Sequence, residues 1–168
     1  MTSIARSALT LAGLTLLLVL ATWWAWSAVT EPLPGGGGST AACTDSPISE
    51  GEKVYPGAVT VSVLNASERN GLATETLSQF RDAGFDTASA ANAPDKADVR
   101  YAEIWTPEPK NPAVLLVESR LGKQAKVVRK GDPGTGVVVV VGDGFTSLTD
   151  GKDFVTASYD TEICSPSG

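Results

Sequence analysis

The residues best suited to chemistry lie in the turn 65–71, NASERNG, between an alternating apolar stretch and an amphipathic helix. Free backbone amides and the helix dipole at such a junction can bind an anion, and the candidate ligands are Asn65, Ser67, Asn70 and Gly71. The turn lacks the glycine density and the lysine of a P-loop. Asn and Ser are also common at helix starts for local reasons. We therefore predict a structural turn, in which Asn65 ties the strand to the helix and Asn70 caps the helix, with ligand binding as the alternative.

A second candidate is a run of basic residues in an otherwise acidic chain. No acidic residue interrupts the segment 120–130, which contains Arg120, Lys123, Lys126, Arg129 and Lys130. Such a patch is suited to bind anionic wall polymers or lipid headgroups. A solvated helix end followed by an edge strand explains the same pattern, so both interpretations stand.

The composition excludes several classes of function. Because the chain has no histidine, it contains no Ser-His-Asp or Cys-His machinery and no His-ligated zinc. A net charge of -6 argues against nucleic acid as a partner. No cofactor or metal is expected, since the C-terminal acidic residues lack the spacing of a calcium loop. An enzyme that uses carboxylates such as Glu103 with Asp143, a cell-wall hydrolase or transferase, is the alternative class.

The two cysteines, Cys43 and Cys164, bracket most of the chain beyond the apolar N-terminus. A disulfide between them is the prediction for a protein outside the cytoplasm. Two free thiols are the alternative. Lipid modification of Cys43 is disfavoured because this residue does not directly follow the apolar segment.

The N-terminal thirty residues are the most apolar part of the chain. No charge occurs in the 24 residues from Ser7 to Thr30, and about 20 apolar residues suffice to cross a bilayer. We predict a transmembrane helix over 7–29, with residues 1–6 in the cytoplasm because Arg6 precedes the span. The remainder is then extracytoplasmic on a single-pass anchor. A cleaved signal peptide is the alternative, although the apolar region is longer than is typical of one.

Composition divides the rest of the chain into three parts. Residues 30–54 contain prolines and four consecutive glycines and are predicted to be a flexible tether. A folded domain is predicted over 55–146. The tail 147–168 is predicted to be tied back by the disulfide and irregular, apart from an edge strand at DFVTASY.

The periodicity within the domain predicts a small two-layer α/β fold with the order β-α-β-β-α-β-β. Alternating apolar residues predict the first strand, and helical spacing over 72–83 predicts a helix that ends at Gly84. The second helix is predicted to have Asn111 as its cap, a proline at its first position and Gly122 past its end. The five valines 137–141 favour a central strand covered on both faces. The other predicted strands lie near 85–91, 100–106 and 125–130.

Three sequence segments carry a resemblance to a known family. The stretch VTVSVLNASERNGLATETLSQFRDAGFDTASAANA resembles the LytR C-terminal domain family, in which a strand ending in Leu-Asn leads through a polar turn and Gly-Leu-Ala into a helix. AEIWTPEPKNPAVLLVESRLG resembles the family's second strand-helix unit, and GVVVVVGDGF resembles its closing Gly-Asp-x-Phe strand. The resemblance covers residues 57–145.

The resemblance implies a cell-envelope role without catalytic residues. In this family the domain is often appended to enzymes that transfer glycopolymers to peptidoglycan, and it also occurs alone behind a membrane anchor. The layout of this chain resembles the small cell-envelope integrity proteins of actinobacteria. We therefore expect a membrane-tethered binding or scaffold module whose partner is peptidoglycan, a wall glycopolymer or another envelope protein.

Overall fold

The computed structural model describes residues 43–94, 97–131 and 133–166, together with isolated helical positions at 13, 15–17, 19 and 22. The chain divides into two compact units, residues 1–40 and 41–168. Within the part that is described, no helix is long and apolar enough to cross a membrane. Most of the predicted span 7–29, and the tether as far as residue 42, lie outside the described residues.

The second unit contains nine strands, two α-helices and one short 3-10 helix in its described residues. In chain order the elements are β1 (Cys43–Ile48), β2 (Lys53–Val54), the 3-10 helix (Pro56–Ala58), β3 (Thr60–Asn65), α1 (Leu72–Asp82), β4 (Asp86–Asn92), β5 (Ala102–Thr106), α2 (Pro112–Leu121), β6 (Lys126–Arg129), β7 (Val137–Val141), β8 (Val155–Thr156) and β9 (Thr161–Pro166). The elements from β3 to β7 follow the predicted order.

The main sheet has five strands in the order β4-β3-β7-β5-β6. Strand β3 runs parallel to both β4 and β7, whereas β5 is parallel to β6 and antiparallel to β7. Helices α1 and α2 make the two parallel crossovers, as parallel pairing requires. All five residues of β7 are buried, so the predicted central valine strand is confirmed.

Both helices lie against the same face of this sheet. Alternate residues of the central strands, such as Val61, Val139 and Ile104, join one core with the apolar faces of α1 and α2. The intervening residues, including Leu64, Trp105 and Val140, form a second, smaller core on the opposite face. Loop residues such as Ala93 pack against this second core. The sheet is therefore covered by helices on one side and by loops on the other.

The helix ends show which local signals decide the boundaries. The Asn111 side chain accepts a hydrogen bond from the Ala113 amide, and Pro112 occupies the first position of α2, as predicted. The predicted cap of α1 by Asn70 is wrong. Gly71 occupies the N-cap position with φ of 80° and provides no side-chain cap, because this left-handed conformation suits glycine far better than asparagine.

The folded unit extends beyond the predicted boundaries at 55 and 146. Strand β1 lies in the range predicted as tether and pairs antiparallel with β9 in the predicted tail. Strand β8, within DFVTASY, pairs with β2 in a separate two-stranded sheet and does not extend the main one. These strands are polar and short, and their partners are more than 100 residues away, so no local periodicity indicates them.

A disulfide joins Cys43 in β1 to Cys164 in β9, with 5.3 Å between the Cα atoms, and the predicted pairing is confirmed. Asn111 links β9 to the start of α2, since its Nδ2 donates to the Glu162 carbonyl at 2.9 Å. Ile48 and Ile163 are buried in the main core. The two terminal strands are thus part of the domain.

Candidate functional site

The strand directions bring the loops of the first and third family-like segments, and the start of the second, to one end of the main sheet. Strands β3, β4 and β7 end there and β5 begins there, since Asn65 lies in register with Asn92 and Val141, and Ala102 pairs with Val141. We call the segments 65–71, 92–94, 97–101 and 142–145 the motif end of the sheet. Function in sheet proteins is commonly carried by such loops.

Within the turn 65–71, the Asn65 side chain is occupied by hydrogen bonds to its own loop. Its Oδ1 accepts from the Ser67 amide at 3.0 Å and from the Ser67 hydroxyl at 2.7 Å. Its Nδ2 donates to the Arg69 carbonyl at 2.7 Å. The Ser67 hydroxyl in turn accepts from the Arg69 amide at 3.1 Å. The Asn65 side chain therefore closes the turn and does not cap α1.

The same turn is bonded to the loop that follows β7. The Glu68 amide donates to Asp143 Oδ1 at 3.1 Å. The Arg69 guanidinium donates to the Phe145 carbonyl at 2.7 Å. The exposed residues of the turn are therefore held in place from a second loop, and Asp143 acts as an acceptor for backbone.

The loop 142–145 is fixed on its other side by the segment that enters β5. The Gly142 amide donates to the Tyr101 carbonyl and the Gly144 amide to the Arg100 carbonyl, each at 2.8 Å. A Cβ at Gly142 would collide with the Val99 carbonyl, and one at Gly144 would lie 2.8 Å from the Arg100 oxygen. Close approach of two backbones thus explains why glycines flank Asp143.

Two cavities open at the motif end. The smaller, about 100 Å³, lies between the turn and β4 and is lined by Asn65, Gly71, Ala73, Thr74, Ala90, Ala91 and Asn92. Asn70, the fourth ligand candidate, is exposed and does not line it. The larger, about 350 Å³, lies beside the start of β5 and β6 and is lined by Val99, Arg100, Tyr101, Ala102, Glu103, Gln124, Lys126 and Gly144. We call this larger cavity the polar cleft. Sequence reasoning missed Arg100 and Gln124, because neither belongs to a motif.

The five basic residues of the predicted anionic-polymer patch take different positions. The Arg120 guanidinium donates to the Lys152 carbonyl at 3.2 Å, and Lys130 Nζ lies 3.5 Å from the centre of the Trp105 ring. Lys126 lines the polar cleft, whereas Arg129 lies at an opposite-facing position of the same strand. Lys123 is exposed in the loop before β6. Of these five residues, Lys126 is the one that lines the polar cleft.

The carboxylates considered for catalysis have structural partners. Glu103 Oε2 accepts from the Trp105 indole nitrogen at 2.9 Å, while Asp143 accepts the Glu68 amide described above. In residues 43–94, 97–131 and 133–166, no three cysteine or carboxylate side chains come together to hold a metal ion. The motif end as described presents a hydrogen-bonding surface.

Comparison with known proteins identifies the family. Residues 58–145, more than half of the chain, match the family model described as LytR cell envelope-related transcriptional attenuator. The chain belongs to this LytR C-terminal domain family. The matched range runs from just before β3 to the buried Phe145 and includes the described segments of the motif end.

One solved structure is also similar to the chain. It is the crystal structure of the soluble domain of a conserved hypothetical secreted protein from Mycobacterium marinum, with 26% sequence identity and a TM-score of 0.45. The similarity covers 61% of this chain and 78% of that one. No curated protein matches the chain significantly.

Proposed function

We propose that the protein is a membrane-tethered, extracytoplasmic binding or scaffold module that supports the integrity of the cell envelope. The observation that carries this proposal is membership of a family described as cell envelope-related. The Cys43–Cys164 disulfide supports an oxidising compartment, because disulfides are rare in the cytosol. The uncharged segment of 24 residues supports the single-pass anchor.

The proposed activity is binding. The polar groups of the turn 65–71 and the carboxylates of Glu103 and Asp143 make hydrogen bonds within the domain, which favours a preformed surface over a hydrolase or transferase centre. The partner in this proposal is peptidoglycan, a wall glycopolymer or another envelope protein. Nucleic acid is disfavoured by the net charge of -6.

Deletion in the native host tests this role. We expect the deleted strain to become more sensitive to detergent, lysozyme and cell-wall antibiotics, and the full chain to restore resistance. A second complementing chain, in which a cleavable signal peptide replaces residues 1–29, tests whether tethering is needed. Unchanged sensitivity of the deleted strain would refute the envelope role.

A parallel assay addresses the enzyme alternative. Purified full chain is incubated with peptidoglycan and with lipid-linked wall precursors, and soluble products are separated by mass spectrometry. We expect no product. Release of fragments that is lost in Glu103→Gln or Asp143→Asn would replace the binding role by a catalytic one.

A further inference from the structure

The polar cleft has the size and the lining of a site for a small hydrophilic ligand. Its volume is about 350 Å³, within the range of pockets that hold small molecules. Such pockets are usually lined by apolar side chains, whereas here charged and amide side chains contribute much of the wall. A lining of this kind suits a ligand with many hydroxyl groups.

The charges that line the polar cleft favour an anionic ligand. Arg100 and Lys126 both line it, and no described residue accepts a hydrogen bond from either cationic group. The single acidic residue in the lining, Glu103, already accepts from the Trp105 indole nitrogen. Glu103 keeps its negative charge, so the lining carries two cations and one anion, a net charge of +1 in a chain whose net charge is -6. Both cationic groups are exposed, and this local positive excess attracts anions.

The backbone that carries these side chains is held in place before any ligand arrives. The Arg100 carbonyl accepts from the Gly144 amide at 2.8 Å, and Lys126 lies in register with Glu103 in the parallel pair of β5 and β6. The Tyr101 ring packs against Phe145 with 5.6 Å between ring centres. Fixed backbone positions reduce the entropy lost on binding, while the exposed Arg100 and Lys126 side chains become ordered only with the ligand.

The turn 65–71 is less suited to the same task. The polar groups of Asn65 and Ser67 bind the turn itself, and its neighbouring cavity is about 100 Å³. The polar cleft instead presents the side-chain groups of Arg100, Gln124 and Lys126 without intramolecular partners among the described residues.

We infer that the polar cleft binds a polyhydroxylated anion, either an acidic sugar or a sugar or polyol phosphate. Arg100 and Lys126 pair with a carboxylate or phosphate on the sugar, while the Gln124 amide and the Tyr101 ring contact its hydroxyl groups and ring face. This inference rests on the proposed function, because it gives the envelope module its ligand class. A carboxylated sugar and a sugar- or polyol-phosphate share the chemistry that the cleft recognises.

Calorimetric titration of the full chain in detergent solution tests the inference. The probes are a muramic-acid-containing disaccharide for the carboxylate source, a glycerol phosphate oligomer for the phosphate source, and neutral chitotetraose as the control. We expect one or both anionic probes to bind and chitotetraose to bind at least tenfold more weakly. Equal binding of neutral and anionic probes, or binding of none, overturns the inference.

Matched variants locate the site. Arg100→Gln and Lys126→Gln are each expected to lower the affinity for the anionic probe about tenfold or more, as loss of a hydrogen bond to a charged group does. Lys110→Gln is the control, because Lys110 is exposed and follows β5 at the opposite end of the sheet. Equal thermal unfolding of all three variants shows that each is folded. Unchanged affinity in both cleft variants, or equal loss in Lys110→Gln, overturns the assignment.

Complementation separates this inference from the proposed function. If the deleted strain is sensitised and the Arg100→Gln/Lys126→Gln chain restores resistance fully, the cleft assignment is wrong while the envelope role stands. If the deleted strain is not sensitised, the envelope role is wrong whatever the titration shows. Failure of the double variant to complement, with wild-type stability, supports both.

Discussion

Reduction of the Cys43–Cys164 disulfide is expected to lower the free energy of unfolding of the domain substantially. The bond joins residues separated by 121 positions, so it closes almost the whole folded unit into one loop. In the chain-entropy treatment, closing a loop of this length removes on the order of 16 cal/mol/K from the unfolded chain, or about 5 kcal/mol at 25 °C. Most small domains have a total stability of about 5 to 15 kcal/mol, so this is a large fraction.

The structure also indicates which part of the domain should open first when the disulfide is reduced. Without the bond, β1 and β9 are held by their mutual pairing and by Ile48 and Ile163 in the main core. These strands lie outside the five-stranded sheet, and we expect them to open before it. Such local opening stabilises the reduced form slightly, so the measured loss should lie between about 2 and 5 kcal/mol.

Urea unfolding followed by circular dichroism measures this loss. The unit 41–168 is compared with and without reductant, and a Cys43→Ala/Cys164→Ala variant serves as the control that reductant should not affect. We expect a lower midpoint and a slightly larger denaturant slope in the reduced protein, because its unfolded chain exposes more surface. A loss below about 1 kcal/mol would contradict the loop-closure reasoning.

Three further substitutions test the motif end and the attachment of β9. Asn65→Ala removes three hydrogen bonds and should destabilise the domain by about 1 to 2 kcal/mol. The control Glu68→Ala keeps the backbone hydrogen bond of residue 68 and should be nearly neutral. If Asn65→Ala leaves the melting temperature unchanged but fails to complement the deletion, the turn is a binding site instead. Gly142→Ala forces a methyl group against backbone and should lower stability by about 1 to 3 kcal/mol or more. The control is Gly131→Ala, where an added Cβ would meet no atom within 4 Å beyond its chain neighbours, and it should melt like the wild type. Equal melting of the two variants would contradict the close approach at Gly142. Asn111→Asp keeps the oxygen that caps α2 but loses the amide group that donates to the Glu162 carbonyl. Hydrogen exchange should therefore accelerate in β9 while α2 stays protected. Unchanged exchange in β9 would show that this hydrogen bond does not hold the strand.

Sequence reasoning predicted the elements whose signals are local. The cap, proline and closing glycine of α2 lie within twelve residues, from Asn111 to Gly122. The valine run of β7 is continuous, and burial on both faces follows directly from it. The order of strands in the sheet could not be predicted in this way. It depends on which distant strands pair and on the handedness of the crossovers between them, and no local pattern specifies either.

The features that were missed depend on contacts between distant residues. Strands β1 and β9 are recognisable only through each other and through the disulfide. At α1, the N-cap is Gly71 and not Asn70 because the backbone there is left-handed, a conformation that sequence periodicity does not specify. The polar cleft combines residues from three separate segments, so spacing along the chain contains no sign of it.

The disulfide also determines how the protein responds to mechanical force. Residues 44–163 lie inside a covalent loop, so tension applied between the chain before Cys43 and the chain after Cys164 passes through the sulfur atoms and not through the strands. With the loop closed, such a pull extends nothing in the sheet. Once it is reduced, the same pull would release on the order of 400 Å of chain. The disulfide therefore protects the sheet against a pull between the two tails of the domain for as long as the bond is oxidised.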